Sequence, residues 1–335
     1  MIMKNNIQYK EHAIIKNRVR VELEWLKFLI QKNMVTDERG EVIKISPLVL
    51  THLDEIHQQF DNKASQRVKD IEKITNHDVK AVEYYIKEQL NKIDVLQNIK
   101  EYVHFCCTSE DISNLAYALM LQDAKSTVLK DDLSKLQNKM IQFSEKYADL
   151  AMLGRTHGQV ASPTTMGKEV ANFTYRISRQ IKQIQKKKFM AKSNGAVGNF
   201  NAHLLAYPEY DWPVLSRQFI EGLGLEFNPY TTQIEPHDSM CEFYNSFSLL
   251  NTILLGFSRD MWNYISIGYF RQKTKKQVIY IIIFISQINN QIDQVIKHKT
   301  FIFSIRKSGL RQCLTKLIPQ TLKIVKVIQE WRTLQ

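Results

Sequence analysis

The chain has 335 residues, 44% of them hydrophobic, so it can bury a large core and its size does not exclude an enzyme. Glycine (11) and proline (7) are scarce, a composition that argues against a turn-rich β protein and favours an all-α fold of long helices. The net charge of +12 would suit a nucleic-acid binder, but residues 275–335 hold 11 basic against two acidic side chains and residues 1–274 hold 35 against 32, so the body of the chain is nearly balanced.

Three helices are predicted in the first quarter of the chain. Apolar residues recur at a mostly helical spacing over residues 9–32, with charged residues interleaved. Ser46-Pro47 is typical of a helix start, because proline suits the first helical position, and this second helix is predicted to reach about Phe60. A third helix is predicted over residues 63–73.

A polar run, Thr75-Asn76-His77-Asp78, then interrupts the helical pattern, which resumes at Val79. These side chains are therefore expected at a helix N-terminus, where free N–H groups and a partial positive charge suit an anionic ligand. The alternative is simple capping by Thr75 or Asn76, which accounts for one residue but not for the run. The sequence leaves both interpretations open.

A second polar break has the same form. The run Thr108-Ser109-Glu110-Asp111 is a capping-box pattern that precedes a helical apolar face. Capping accounts for Thr108 and Asp111. It does not account for His104 and Ser109, which could both present hydrogen-bond donors to a ligand at this helix start.

The third break, Gly154-Arg155-Thr156-His157-Gly158, places a titratable histidine beside a cation and between glycines. Backbone can approach a ligand closely where glycine lacks a side chain, and the pKa of histidine lies near neutrality, so this segment has the character of a site. The alternative is a glycine-punctuated turn whose histidine satisfies a buried partner.

Long helices are predicted around these breaks. Residues 112–147 are expected to form one long helix, or two that join near residue 130. Pro163 is predicted to open a further helix over about residues 164–188, and a last one is predicted over about residues 240–269. Helices of this length with few internal glycines or prolines indicate a bundle.

Two further polar segments connect predicted helices, at residues 193–203 and 228–238. The first lacks the third glycine and the preceding strand of a dinucleotide loop, and no Walker-type lysine follows it, so both kinds of phosphate loop are excluded. The second is bracketed by prolines and rich in hydrogen-bonding side chains, more than a plain linker requires.

Several classes of protein are excluded by what the sequence lacks. The nine histidines show no spacing typical of a metal site, so no metal is expected. The longest apolar run, at residues 278–285, is too short to span a membrane. Of the four cysteines, Cys106 and Cys107 are adjacent and do not easily bridge to each other, which favours reduced thiols and a cytoplasmic protein.

The five polar segments, in this order, resemble those of the fumarase/aspartase superfamily and, within it, the adenylosuccinate lyases of the bacterial type. The similarity runs from about residue 7 to residue 275, and from about residue 276 the chain does not match. Each motif is weak alone, but together they are specific for this family; they lie at residues 75–84, 104–111, 155–159, 194–199 and 228–238.

The resemblance implies a carbon–nitrogen lyase of purine and AMP biosynthesis that eliminates fumarate from adenylosuccinate and from the succinylated aminoimidazole carboxamide ribotide. It implies His157 as the general acid. It also implies six residues that bind the anionic nucleotide substrate, namely Asn76, His77, Asp78, Thr108, Ser109 and Gln233. No cofactor is implied. The family forms an all-α homotetramer, so the expected partners are a small-molecule substrate and copies of the chain itself, without nucleic acid or membrane.

The resemblance also suggests a division into an N-terminal helical domain at 1–95, a central long-helix bundle at 96–275 and a divergent basic tail at 276–335. The tail has 13 isoleucines and neither alanine nor methionine. It lacks the mobile loop whose serine is the family's general base, so little or no activity is expected of the chain. We hypothesise a shifted reading frame late in the gene; the alternative is a genuine divergent segment that binds a partner through its charge.

The missing loop keeps two other functions open. One is a non-catalytic lyase-fold remnant or regulatory subunit. The other is a basic nucleic-acid binder, which is disfavoured because the charge lies in the tail without interleaved aromatic platforms.

Overall fold

A computed structural model describes residues 6–271 of the chain, with side chains from residue 11 onward except at residue 48. The predicted tail at 276–335 and its isoleucine-rich run lie outside the described residues. Contacts divide the structure into two units: the first is formed by the chain up to residue 123 together with 188–237, and the second by 124–187 together with the chain from residue 238 onward.

Eleven helices and four short strands follow one another along the described residues. In chain order they are α1 (Asn6–Gln31), α2 (Pro47–Gln58), α3 (Asn62–Thr75), α4 (Asp78–Leu90), α5 (Asp94–Gln97), α6 (Ser109–Ala124), α7 (Lys130–Lys146), β1 (Ala151–Thr156), β2 (Gln159–Thr165), α8 (Met166–Lys186), β3 (Met190–Ala191), α9 (Asn201–Ala206), α10 (Trp212–Gly222), β4 (Glu226–Phe227) and α11 (Asp238–Ser266). A 3-10 turn lies at Lys100–Tyr102, and a π-helical segment at Lys125–Leu129 joins α6 to α7 without a gap.

In the first unit, α1 contributes a row of buried apolar residues that the other elements cover. Trp25 is 1% exposed; its ring meets Phe219 of α10 edge-on at 4.9 Å, and its Nε1 donates to the carbonyl of Phe105 at 2.9 Å. The indole thus contributes apolar area while its one polar atom finds a partner. Through this residue, α1 holds both α10 and the segment that precedes α6.

Two short parallel strands fix where the polar connections of the first unit begin. β3 pairs with β4 through Met190 opposite Glu226 and Ala191 opposite Phe227. The backbone N–H of Asn228 donates to the carbonyl of Ala191 at 2.8 Å. Residues 193–203 and 228–238, far apart in sequence, therefore start side by side.

The second unit is a helical layer of α7, α8 and α11 with a β-hairpin. β1 and β2 pair antiparallel from Ala151 opposite Thr165 to Thr156 opposite Gln159, with a register shift in between. α8 buries an apolar stripe against its neighbours, including Phe173, whose ring lies 5.5 Å from that of Phe257 on α11. The hairpin thus projects from the N-terminus of a helix that is held on both sides.

The all-α prediction is confirmed, apart from the two small sheets. The helices predicted over 9–32, 46–60, 63–73 and 240–269 correspond to α1, α2, α3 and α11. No helix within residues 6–271 is both long enough and apolar enough to cross a membrane. The proposed division at residue 95 stays a prediction.

The prediction that Pro163 opens a helix is wrong. Pro163 lies in β2 opposite Leu153 of β1, and α8 begins only at Met166, where the side chain of Thr165 accepts a hydrogen bond from the N–H of Lys168. Proline can occupy an edge strand, because its missing N–H then costs no ladder hydrogen bond. The threonine provides the helix cap that proline does not.

Gly167 lies at a close contact between α8 and the end of α7. A Cβ at this position would lie 2.4 Å from the carbonyl oxygen of Ser144 and 2.5 Å from the Cα of Ala148. These are backbone atoms that cannot rotate away. The approach of α8 to the end of α7 therefore requires glycine here.

We expect Gly167→Ala to lower the free energy of unfolding by about 1–3 kcal/mol, because the methyl group must push two backbone segments apart. Gly256→Ala is the matched control: it also lies in a helix of the second unit, and its Cβ would meet only the Phe173 ring at 3.5 Å. The control should be neutral or stabilising by up to about 1 kcal/mol. Urea denaturation of both variants measures this, and equal effects would contradict the proposed close contact.

Candidate functional site

The first predicted polar run forms the junction between α3 and α4. Asn76 ends α3 in the left-handed conformation (φ 51°), which asparagine tolerates better than most residues. His77 is the N-cap of α4, and its Nδ1 accepts a hydrogen bond from the N–H of Lys80 at 3.0 Å. Capping is therefore part of this motif, but His77 performs it instead of Thr75 or Asn76.

The cap also fixes which nitrogen of His77 faces outward. Because Nδ1 accepts a hydrogen bond, the proton of the neutral ring resides on Nε2. That atom lies 3.3 Å from the hydroxyl oxygen of Ser109, the first residue of α6. The ring is about half exposed, at 49%. Two predicted binding residues from separate motifs thus lie in direct contact.

Asp78, the first residue of α4, faces a buried cation. Its Oδ2 lies 2.8 Å from a guanidinium nitrogen of Arg18, which is 5% exposed and also donates to the hydroxyl of Ser113 at 3.2 Å. The pair joins the start of α4 to α1 and α6. Asp78 is consequently held in place and its charge is compensated.

The start of α6 shows half of the predicted capping box. The N–H of Thr108 donates to Oδ2 of Asp111 at 2.8 Å, and the N–H of Asp111 donates to the carbonyl of Thr108 at 3.0 Å. The side chain of Thr108 is thereby left for another contact. Its hydroxyl oxygen lies 3.5 Å from Nε2 of Gln233, at the limit of a hydrogen bond.

Asp111 also forms a buried ion pair that the sequence did not indicate. Its Oδ1 lies 2.9 Å from Nζ of Lys192, and both side chains are at most 1% exposed. Oδ1 also accepts from the N–H of Asn194, and Oδ2 from that of Gly195, each at 3.1 Å. Together with the Thr108 amide, these donors use the full acceptor capacity of the carboxylate.

The polar connections at 193–203 and 228–238 contact each other beside this ion pair. The side-chain amide of Asn194 donates to the hydroxyl of Thr231 at 2.8 Å. Gly198 has a positive φ of 80°, and a Cβ there would lie 2.3 Å from the carbonyl oxygen of Thr231. Glycine at this position therefore allows the two backbones to approach closely.

Glu235 and His237 anchor the second connection. Oε1 of Glu235 accepts from the side-chain amide of Asn228 at 2.9 Å, and its Oε2 accepts from the backbone N–H of His237 at 2.6 Å. The His237 ring lies between two carboxyl groups, with Nδ1 3.1 Å from Glu235 and Nε2 3.5 Å from Glu110. Burial would lower the pKa of His237, but the two carboxylates raise it to about 9.

His157 stands apart from this cluster, at the tip of the β1–β2 hairpin in the second unit. His157 and Gly158 form the two-residue loop, both with positive φ (51° and 77°), as a type I′ hairpin turn requires. The ring is exposed, and within residues 6–271 it has no hydrogen-bond partner. The glycine-punctuated turn of the alternative interpretation is therefore present, but the buried partner that it assigned to the histidine is not found among the described residues.

Arg155 supports this turn from within the hairpin. Its guanidinium donates to the carbonyl of Gly158 at 3.2 Å and to the hydroxyl of Tyr269 at 3.1 Å, and it lies 5.8 Å from the centre of the Tyr269 ring. The same hydroxyl donates to the carbonyl of Leu153 at 2.9 Å. The turn that presents His157 is thus held by contacts within its own unit.

The structure brings the six predicted binding residues into the first unit, at the adjoining starts of α4 and α6 and on the connection that follows β4; they are Asn76, His77, Asp78, Thr108, Ser109 and Gln233. His157 belongs to the second unit. The described part of the chain contains no cluster of three or more metal-ligating side chains.

Two further histidines of the first unit, one partly buried and one fully buried, make contacts outside this cluster. His104, which the sequence suggested as a donor to a ligand at the start of α6, has its Nδ1 2.7 Å from Oε1 of the buried Glu22; burial lowers its pKa, but Glu22 raises it above the usual value. His203 is 1% exposed among the rings of Trp25 and Trp212, and burial lowers its pKa to about 4. The first is therefore an ion-pair partner, and the second is a neutral core residue.

Comparison with known proteins places these residues in a family. The profile of a family described as Lyase matches residues 1–278. The adenylosuccinate lyase of Vibrio cholerae is 48% identical over 267 residues, which are 79% of this chain and 58% of that protein. Those of Haemophilus influenzae and Escherichia coli are 46% and 44% identical over 266 residues, with the same shares of each chain. The chain spans a little over half the length of these relatives, and the predicted resemblance is confirmed.

Solved structures with much lower identity share the fold. A fumarate lyase from Mesorhizobium sp. BNC1 matches with a TM-score of 0.69 at 15% identity, over 97% of this chain and 73% of that one. The 3-carboxy-cis,cis-muconate lactonizing enzyme from Pseudomonas putida matches with a TM-score of 0.69 at 18% identity, over 94% and 70%. These similarities concern the fold alone.

We expect Lys192→Met to lower the free energy of unfolding by about 3–5 kcal/mol, because methionine fills the space but leaves the Asp111 carboxylate buried without its cation. Arg67→Gln is the control, since it breaks the exposed pair with Glu88, and it should hardly change the transition. Guanidinium chloride denaturation measures both. Indistinguishable midpoints for the two variants would contradict the role of the buried pair.

Proposed function

This chain belongs to the lyase family, and from that premise we propose that it carries the nucleotide-binding groups and the general acid of an adenylosuccinate lyase. The reaction would be β-elimination of fumarate from adenylosuccinate, which leaves AMP, and from the succinylated aminoimidazole carboxamide ribotide. The observation that carries the proposal is the contact between His77 and Ser109, 3.3 Å apart at two adjoining helix starts, in a chain 48% identical to an enzyme of this name.

The proposed substrates suit this position chemically. Each carries two carboxylates and a phosphate, and helix N-termini favour anions through free N–H groups and the helix dipole. Ser109 and Thr108 provide hydroxyl donors at one such end, and His77 provides Nε2–H at the other. Gln233 adds an amide donor from the connection after β4. We propose that Asn76 and Asp78 complete the binding set from the α3–α4 junction.

The elimination needs three actions. A base removes a proton from the carbon next to a carboxylate, the resulting aci-carboxylate is stabilised, and an acid protonates the departing nitrogen. We assign the last action to His157. The His157 ring is exposed, and Arg155 holds the turn that presents it. Both features suit a proton donor that meets its ligand at the surface of its unit. The hydroxyl and imidazole donors at the helix starts would stabilise the charge on the carboxylates.

The base is the group for which this chain shows no matching motif. The serine loop expected after residue 274 has no counterpart in the sequence 276–335. Loss of a general base lowers a rate by about 10²–10⁴-fold. This observation favours a second candidate function, a lyase-fold protein that binds the nucleotide without turning it over, as a remnant or a regulatory subunit.

We further propose a homotetramer in the cytoplasm that needs no cofactor. Exposed apolar side chains on two helices of the second unit support an assembly, since Tyr175 of α8 is 69% exposed and Trp262 of α11 is 54% exposed. Assembly of several chains would also let His157 serve a nucleotide held by the first unit of another copy. A near-balanced charge over residues 1–274 supports a small anionic ligand over nucleic acid.

We expect the chain to bind adenylosuccinate, and Ser109→Ala to weaken that binding by about 10–100-fold, as loss of a hydrogen bond to a charged group costs about 1.5–3 kcal/mol. Ser134→Ala is the control, because its hydroxyl bonds only to the carbonyl of Lys130 within α7. Titration calorimetry gives both affinities. If the unaltered chain binds no adenylosuccinate at all, the proposed function is wrong.

Fumarate release separates the two candidate functions. We expect the purified chain to release fumarate at least about 10²-fold more slowly than a complete relative, because the base loop is not matched. His157→Ala should bind adenylosuccinate as the unaltered chain does and lower any remaining rate further. Ultraviolet absorbance of fumarate follows the reaction. A rate equal to that of a complete enzyme would rule out the binding-only function and show that another residue acts as the base.

A further inference from the structure

We propose that His237 is a positioning residue for the substrate site: its charged ring joins the connection that carries Gln233 to the first turn of the helix that carries Ser109. The inference rests on the proposed function, since Gln233 and Ser109 are taken there as substrate ligands. His237 itself is not expected to touch the substrate.

The contacts of His237 reach both structural elements. Nε2 lies 3.5 Å from Oε1 of Glu110, the residue that follows Ser109 in α6, and Nδ1 lies 3.1 Å from Oε2 of Glu235 on its own connection. The three side chains are nearly buried, at 11%, 11% and 2% exposure for His237, Glu110 and Glu235. Nδ1 makes no hydrogen bond within the described residues, so both contacts of the ring are ion-pair contacts, and they attract the ring only when the imidazole is protonated. The arrangement therefore favours the imidazolium.

The other carboxylate oxygen of Glu235 is also held by a hydrogen bond. Its Oε1 accepts from the side chain of Asn228 at 2.9 Å, and the backbone of Asn228 is bonded to Ala191 of β3 at 2.8 Å. A continuous set of contacts thus runs from the small sheet through Glu235 and His237 to Glu110. The connection is held at its start by the sheet and near its end by the imidazole.

Between these anchors, Thr231 accepts a hydrogen bond from the side chain of Asn194 at 2.8 Å, and Thr232 and Ile234 are bonded to each other within the connection. Tyr230 is 89% exposed and Ile234 is 48% exposed. The contact of Gln233 with Thr108, at 3.5 Å, is too long to fix the connection. Backbone at His237 adopts a left-handed conformation (φ 64°), which a residue of this type keeps only when its surroundings impose it. Gln233 therefore lies between the Thr231 contact on one side and the buried trio on the other, and the trio is the part that ties the connection to α6.

The charges around the His237 ring are a second reason why its protonated form is favoured. Burial lowers the pKa of His237, but Glu110 from α6 and Glu235 from its own connection raise it to about 9, and no other charged group of the described residues lies within ion-pair distance of the ring. The ion pairs of the protonated ring stabilise the folded chain in full below pH 6.5, the pKa of His237 in the unfolded chain. This stabilisation is lost as the pH rises through the folded-state pKa of about 9. Loss of the proton leaves two negative charges beside Ser109, whose proposed ligand is an anion.

The test compares adenylosuccinate affinity across pH in the full chain and in His237→Asn. Asparagine tolerates the left-handed backbone but carries no charge. We expect affinity for adenylosuccinate to fall on the order of 10–100-fold in the variant near neutral pH. In the unaltered chain, affinity should fall as pH rises through about 9, matching the titration of the His237 ring followed by NMR, and this step should be missing in the variant.

Two further variants keep the test independent of folding. Glu110→Gln removes the charge that attracts the His237 ring to α6 but leaves His237 in place, and it should remove the same pH step; combined with His237→Asn, it should weaken binding no further than either change alone. His52→Asn is the control, because it removes a histidine that pairs with Glu55 on the surface at 3.2 Å. Circular dichroism confirms that each variant is folded, and Glu110→Gln decides the question if His237→Asn is not.

The outcomes separate the two proposals. If the unaltered chain binds adenylosuccinate and both variants bind it with the same affinity and pH profile, the positioning role of His237 is overturned and the proposed function stands. The positioning role is also overturned if the fall in affinity through about pH 9 persists in His237→Asn. If the unaltered chain does not bind, the proposed function falls, and the positioning role falls with it.

Discussion

The buried ion pair between Asp111 and Lys192 is the contact on which the candidate site depends. Asp111 lies in the first turn of α6, and its two oxygens accept from the ammonium group and from three backbone amides, those of Thr108, Asn194 and Gly195. A buried pair contributes little net stability compared with apolar packing, because both charges lose their hydration. Its effect here is geometric: one carboxylate holds the start of a helix and the backbone of a distant connection in a single arrangement.

The remaining parts of the site follow from that arrangement. With residues 194–195 fixed to α6, the hydrogen bond from Asn194 to Thr231 and the close approach of Gly198 bring the second connection to the same place. The small β3–β4 sheet sets where both connections begin. Gln233 can then lie near Thr108 although 125 positions separate them in the chain. The candidate site is thus built by backbone segments that buried side chains hold in place, with few direct contacts among the proposed binding side chains themselves.

The helices and the site differ in how far the sequence predicts them. Repeating apolar residues predict α1 and α11 because a helical face is a local pattern, and the polar breaks predict where helix starts lie. The β1–β2 hairpin was missed because two positive φ values at His157 and Gly158 are needed to close it, and only one of these residues is glycine. The pairing of Asp111 with Lys192 joins positions about 80 residues apart, and no local pattern encodes which buried charges will meet.

The charges around the helix starts explain how a site with several acidic residues could receive the anionic substrate that we propose. Asp78 is compensated by Arg18, Asp111 by Lys192, and Glu22 by His104, each partner lying within 3 Å. Paired carboxylates exert little field at a distance, so the helix ends and the hydroxyl donors determine the local potential. The trio around His237 differs, because one imidazolium serves two carboxylates and an excess negative charge remains. Protonation of His237 therefore decides whether this trio carries one or two net negative charges beside Ser109.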